Sequence, residues 1–470
     1  MYSVRLWSVR HARGLRRVYD AFARVSRYLA PLVKLTGRRR AESFLRPIEH
    51  ASKGFLFDCR MCGQCVLTHT GLACPMNCAK QMRNGPCGGV RPDGGCEVKP
   101  EMRCVWIEAG AGAKRVAGTG NAVAPIRLLA IDHRREGTSA WLPVICGDAP
   151  PVLAHPSAPP PVIRHEAAPF EQACASGRFL VTVEVAPPDS ADPAVLIARA
   201  ARFKGMVDAI NITDGAGGNC HMSSVAASAI LAAQGLTPVY QVACRDRNRI
   251  AIQGDILGAA ALGVRNILCL TGDDVSQGAH PQAKPVFDLD AVSLLEIARG
   301  MREQGVYASG RQIETAPNLF LGATINPFVP PHVDRILNLE KKIAAGAQFI
   351  QTQFCFDVPL LEAFMREVRR RELHKRCRII VGAGTLGNAK ALRWMAQHVP
   401  GVHIPEPLLQ RIERASDQKA EAKRVCIETV QAIAGIEGVA GVHLMGHKNS
   451  ETLAEIITES GLRRHAPPAP

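Results

Sequence analysis

The chain has 470 residues, enough for two or three domains, and its hydrophobic fraction of 47% is ordinary for a globular chain with a sizeable core. No apolar run reaches the about 18 residues that span a bilayer as a helix. The Arg-rich N-terminus shows no apolar stretch leading to a small-residue cleavage site, so a cytosolic location is expected. The net charge of +15 is uneven: residues 1–58 hold thirteen Lys/Arg and four Asp/Glu, a net of +9, with no recognisable nucleic-acid-binding module, which argues against a nucleic-acid partner.

Residues 11–33 read as one basic amphipathic helix. Leu15, Val18, Phe22, Val25, Leu29 and Leu32 recur at three- and four-residue steps, with Arg13, Arg16, Arg17, Arg24 and Arg27 around them. Such a face packs on the chain's own core, docks on a partner, or lies on an anionic membrane; a transit peptide has the same pattern. A packed helix with a solvated basic side is the simplest expectation. Residues 1–58 are taken as one segment.

Half of the sixteen cysteines fall in a short stretch: Cys59, Cys62, Cys65, Cys74, Cys78, Cys87, Cys96 and Cys104. In a cytosolic chain they read as thiols or metal ligands rather than disulfides. The close Cys59–Cys62–Cys65 spacing and the Cys74-Pro75 pair resemble iron–sulfur ligation, although eight residues separate Cys65 from Cys74. Four-thiolate zinc sites need only tetrahedral sulfur and fit equally. The glycines of NGPCGG (84–89) and DGGC (93–96) let backbone N–H groups approach sulfur. Residues 59–145 are therefore expected to form a small cysteine-rich metal-binding domain holding an iron–sulfur cluster, zinc, or both.

Residues 146–169 are Pro-rich and read as an extended linker. Beyond them, apolar strand candidates lie at 179–186, 208–214, 237–244, 266–272, 319–327, 349–357, 378–384 and 441–446, separated by amphipathic helices such as 248–263 and 289–304. Eight strands alternating with helices predict a (β/α)8 TIM barrel over 170–465; a doubly wound sheet is the alternative, but no GxGxxG follows the first strand.

A barrel of this kind builds its site at the C-terminal strand ends. Those ends carry Glu184, Thr213 with Asp214, Gln241, Gly272 with Asp273 and Asp274, Asn326, and Gln351 with Gln353. His443 and His447 close the last strand and are expected to be satisfied locally. The stretch 338–357 combines a helix, a Gly346 hinge and a strand on which Gln351 and Gln353 share one face. Two amides are a poor filling for a closed sheet, so that face is expected to meet a polar ligand.

The motifs VEVAPP (183–188), ITDGAGG (212–218), LTGDD (270–274), GATINP (322–327) and NLEKKIAAGAQFIQTQFCFD (338–357) resemble the methylenetetrahydrofolate reductase family over roughly residues 175–465. The elements CRMCGQC, NGPCGG and CVW resemble the cysteine-rich partner protein that accompanies reductases of this family in acetogenic bacteria. The resemblance implies a flavoprotein, with FAD or alternatively FMN. It would interconvert 5,10-methylene- and 5-methyltetrahydrofolate by hydride transfer through flavin N5. It implies Glu184 as general acid, Asp273 on the pterin and flavin, and Gln353 on the pterin. Flavin contacts would come from Thr213 and Gln241 and, at the ribityl and phosphate groups, from Asn338, Lys341 and Lys342. Electrons would come from a donor protein or NAD(P)H, and assembly of several copies is compatible with it. Thr271, Ile325, Arg335 and Leu386 depart from enteric-type members. A folate-binding methyl carrier or transferase without redox chemistry is the alternative.

Overall fold

The computed structural model describes residues 2–118, 126–153, 163, 165–384, 387–399, 401–446 and 449–462. Part of the predicted linker (154–162 and 164), Leu386, His447 and the end of the predicted barrel span lie outside the described residues.

Eight strands form a closed, all-parallel barrel in sequence order. They are β1 (Leu180–Val185), β2 (Ala209–Ile212), β3 (Pro238–Ala243), β4 (Asn266–Leu270), β5 (Phe320–Ile325), β6 (Phe349–Phe354), β7 (Arg378–Gly384) and β8 (Val439–Met445). Each coincides with a predicted strand, because a near-continuous apolar run between turn residues is what a strand buried on both faces requires. The helices are entered through Asp192, Ser223, Asn248, Asp290, Asp357, Asn388 and Asp417, whose side chains accept first-turn N–H groups. Each such cap contributes about 1 kcal/mol. Phe170 closes the N-terminal end of the barrel, edge-on to Phe320 and Phe349 at 5.7 and 5.4 Å between ring centroids. The open end is therefore the C-terminal one.

Before the barrel come α1 (Tyr2–Arg10), α2 (Ala12–Val25), α3 (Ala30–Thr36), α4 (Arg38–Phe57) and α5 (Val105–Ala117), with the cysteine-rich loops between α4 and α5. The expected single helix over 11–33 is broken: a 3-10 turn, Ser26–Leu29, separates α2 from α3. Pro31 at the start of α3 removes the N–H that would continue the helical ladder. The expected packing of its apolar face holds only in part: Leu15 packs on a small core cluster with Ala12, Phe57 and Leu67. Val18 and Val25 are 66% and 65% exposed, and Leu29 and Leu32 about half exposed; Phe22 packs on Trp141, with ring centroids 4.8 Å apart. A buried Glu49–Lys53 ion pair of 2.6 Å ties α4 to the turn at Ser139, whose hydroxyl donates to Glu49. No helix among the described residues is long and apolar enough to cross a membrane.

Two further helices frame the site, α6 (Ala291–Gln304) and α7 (His332–Ala345). Gly346 ends α7 with φ of 123°, and a Cβ there would lie 3.0 Å from the Arg299 side chain, so the turn into β6 needs glycine.

Candidate active site

Parallel strands put alternate side chains into the barrel, and this interior is stratified by polarity. The lower polar layer contains Thr182, Asn211, Gln351 and His443, all at most 2% exposed. Asn211 and Gln351 exchange amide hydrogen bonds of 2.6 and 3.1 Å, Gln351 also donates to the Thr182 hydroxyl at 3.4 Å, and that hydroxyl lies 2.9 Å from His443 Nδ1. Burial pushes the His443 pKa down to about 3, so the imidazole is neutral at physiological pH. Of the two glutamines expected to face a ligand, Gln351 lies at the floor of the cavity described next and is also hydrogen-bonded within the barrel. Replacing Gln351 by Leu is expected to lower the unfolding free energy by about 1–3 kcal/mol, because it strands the Asn211 amide. Urea denaturation checks this; an unchanged midpoint with weakened folate binding would instead make Gln351 a ligand contact.

Above that layer lies a cavity of about 180 Å³, lined in part by Glu184, Gln241, Asn338, Lys342 and Gln353. Asn326, Gln351 and His443 line it too, so eight residues singled out in the sequence meet in one place. Glu184 stands near the end of β1, and its Oε2 accepts from Gln241 Nε2 at 3.5 Å. Burial pushes the Glu184 pKa up to about 7; the Gln241 contact opposes this and the charge of Asp273 adds to it. Gln353 turns its Oε1 to the backbone N–H of Phe354 at 3.0 Å, leaving its amide nitrogen available to the cavity.

Asp273 and Thr213 do not line the cavity. Asp273 is exposed beside it, its Oδ2 accepting from the Gly217 N–H at 3.0 Å. Thr213 is buried, and its hydroxyl has no hydrogen-bond partner among the described residues. Asp214 accepts from the Ser224 hydroxyl, the Ala243 N–H and Arg247, and so serves the scaffold.

Part of the cavity wall comes from outside the barrel. Pro86 and Gly88, between α4 and α5, complete it. Their segment is fastened over the barrel mouth at several points. Lys80 Nζ donates to the Gly272 carbonyl at 2.7 Å and pairs with Glu97 at 2.6 Å. The backbone N–H groups of Arg83 and Asn84 donate to Asp290 Oδ2 at 2.9 and 2.7 Å. Asn326 Nδ2 donates to the Gly88 carbonyl at 3.0 Å, and Arg335 to the Cys87 carbonyl at 2.6 Å. Arg335, a departure from the enteric pattern, is thus a cross-domain donor.

Of the three residues matched to a flavin tail, Asn338 and Lys341 belong to the same contact, whereas Lys342 bonds within the barrel. Asn338 Nδ2 donates to the Asn84 carbonyl at 3.3 Å, and Lys342 to the Thr324 carbonyl. Lys341 lies 5.2 Å from the centre of the Trp106 ring, beside a separate void of about 260 Å³. Burial lowers both lysine pKa values to about 8. The unpartnered Thr213 hydroxyl suits a polar cofactor group, but Asn338, Lys341 and Lys342 as arranged do not fit a flavin dinucleotide laid along α7. The sequence reading missed Lys80, Asn84, Pro86, Gly88, Trp106 and Asp290. The NGPCGG run was the available signal, read there as serving sulfur alone.

The cysteines fall into two groups. Cys59, Cys62, Cys65 and Cys74 line one void of about 20 Å³. Cys78, Cys87, Cys96 and Cys104 are neighbours in the second group: burial chiefly raises the Cys78 pKa, to about 12, and Cys104 and Cys96 add to it. All eight are free, and among the described residues no three or more His, Cys, Asp or Glu groups stand ready to hold a metal ion.

Residues 169–461 match the family described as methylenetetrahydrofolate reductase, and residues 39–127 match one described as methylene-tetrahydrofolate reductase C terminal, here placed before the barrel. A probable methylenetetrahydrofolate reductase (NADPH) from Caenorhabditis elegans is 26% identical over 245 residues, covering 51% of this chain and 34% of that protein. The chain thus spans about a third of that relative's length. A Clostridium thermocellum protein whose structure binds two copies of 5-methyl-5,6,7,8-tetrahydrofolic acid is 15% identical, covers 62% of this chain and 98% of its own, and superposes with a TM-score of 0.44. DmoA from Hyphomicrobium sulfonivorans is 10% identical, with 62% and 90% covered and a TM-score of 0.38. With more than half of its length matched, barrel included, the chain belongs to the methylenetetrahydrofolate reductase family.

Proposed function

We propose that this chain interconverts 5,10-methylenetetrahydrofolate and 5-methyltetrahydrofolate. The observation that carries the reading is Glu184: a carboxyl raised to about 7 inside a polar cavity, beside the amides of Gln241 and Gln353. In the reducing direction the protonated carboxyl gives its proton to the folate nitrogen N10 as its bond to the methylene carbon breaks. The one-carbon unit is left as an iminium on N5, and a hydride equivalent from a donor converts it to methyl. Gln353 and Gln241 offer amides to the pterin edge, and the neutral His443 and the Asn211–Gln351 pair form the floor beneath. A general acid works best with its pKa near the working pH, which a solvated glutamate would not have. In this family a bound flavin supplies the hydride. Its tail does not fit the residues along α7 as they stand, so no step is assigned to it.

Calorimetry with 5-methyltetrahydrofolate, followed by its oxidation with an artificial electron acceptor, tests the reading. Binding with turnover that depends on Glu184 is expected. Binding without turnover under any donor or acceptor would favour the methyl-carrier alternative, and no binding would overturn both.

The two cysteine groups support a metal-binding reading for residues 59–104. Cys59, Cys62, Cys65 and Cys74 converge on one small void, and four sulfurs are the ligand set of either a structural zinc ion or an iron–sulfur cluster. Metal analysis of anaerobically purified protein, with absorbance near ~400 nm for a cluster, separates zinc, iron and neither. Cys59→Ser is expected to remove metal from the first group alone.

A further inference from the structure

We infer that the chain's own segment Asn84–Gly88 takes the place of a cofactor tail on α7 and the end of β5, so that the docked protein holds no flavin dinucleotide there. The donors on that surface are amides and a guanidinium: Asn338, Asn326 and Arg335. Such groups suit oxygen acceptors, which a ribityl chain or a phosphate would provide. Here they receive three backbone carbonyl oxygens instead, those of Asn84, Gly88 and Cys87, at 3.3, 3.0 and 2.6 Å. The acceptor chemistry is the same and the source is internal.

The substitution is built in rather than incidental contact. Asn84 is 1% exposed and held on both sides. Its Oδ1 accepts from the Leu128 N–H at 2.7 Å, its Nδ2 donates to the Leu128 carbonyl at 2.8 Å, and its own N–H reaches Asp290. Moving the segment aside would break these bonds together and leave buried groups unpaired. Pro86 of the same run lines both the Glu184 cavity and the void of about 260 Å³ beside Lys341 and Trp106, so the segment bounds both spaces along α7.

The inference rests on the proposed function only through its control ligand. Flavin content of the purified full chain is read by absorbance after denaturation. Thermal midpoints are then measured with FAD and with 5-methyltetrahydrofolate, because a ligand bound to the folded state raises the midpoint. The unmodified chain is expected to carry no equimolar FAD, to gain no midpoint with FAD and to gain one with the folate. Asp290→Ala, which frees the Arg83 and Asn84 N–H groups, is expected to bind FAD at least tenfold more tightly than the unmodified chain. Equimolar FAD in the purified chain, or an equal FAD shift in both proteins, overturns the inference. Should Asp290→Ala fail to fold, the two ligands on the unmodified chain still decide. Should neither ligand shift that chain, the folate reading falls and the absence of FAD binding still supports the internal segment.

Discussion

Replacing Glu184 by Gln is expected to slow methylene-folate reduction by about 10²–10⁴-fold, the usual contribution of a positioned general acid. The amide keeps the size and the Gln241 contact but has no proton to give. The pH dependence follows from the raised pKa. With the carboxyl titrating near 7, the reducing rate of the unmodified chain is flat below that pH and falls about tenfold per unit above it. In the oxidising direction the same carboxylate accepts the proton, so that rate rises through 7 and levels off. A stability measurement gives an independent check. Glu184 binds its proton more tightly in the folded chain than in the unfolded one. Its contribution is therefore fully present below about 4.5 and is lost as pH rises through 7. Compared with the unmodified chain, Glu184→Gln should lack that component of the decline between pH 4.5 and 7. A rate profile with the same inflection in the variant would show that another group sets it.

The barrel was legible because its strands are apolar runs of the right length at the right spacing, and a closed parallel sheet needs little else. Glu184, Gln241 and Gln353 were legible for the same reason: a polar residue at the end of such a run points to the mouth. Gln351 was legible only in part, because period-two alternation gives the face of a residue but not its depth. Two positions lower in the barrel, its amide lines the cavity floor and is also bonded to Asn211. The contact of residues 80–88 with the barrel could not be read at all. It consists largely of backbone groups, Arg83 and Asn84 N–H and the Asn84, Cys87 and Gly88 carbonyls, whose partners lie roughly 200–250 positions away in the sequence. Backbone groups carry no residue-specific signal. The exposed face of α2 shows the opposite case: a clear helical pattern fixed the apolar side but not what, if anything, covers it.

Asp290→Ala is expected to cost about 3–5 kcal/mol of unfolding free energy, a large share of the about 5–15 kcal/mol that holds a typical domain. The carboxylate has two duties. Its Oδ1 caps α6, accepting from the Ser293 N–H at 2.9 Å and its hydroxyl at 3.1 Å. Its Oδ2 takes the N–H groups of Arg83 and Asn84. Losing the cap alone costs about 1 kcal/mol, and each buried N–H left without an acceptor costs about 1–3 kcal/mol more. Asp192→Ala removes only a cap from an exposed helix start and should cost about 1 kcal/mol. Asp290→Asn separates the duties. One oxygen can still accept, but the new NH2 must face either the α6 cap or the two N–H groups, where it repels. Its cost should fall between those of the two alanine variants. Equilibrium unfolding measures the total, and hydrogen exchange at the Arg83 and Asn84 amides reports the docking itself. If those amides stay protected in Asp290→Ala, another element holds the segment. If they exchange freely while the barrel remains folded, residues 80–88 open as a unit from the mouth they cover, and the Glu184 cavity loses its Pro86 and Gly88 wall with them.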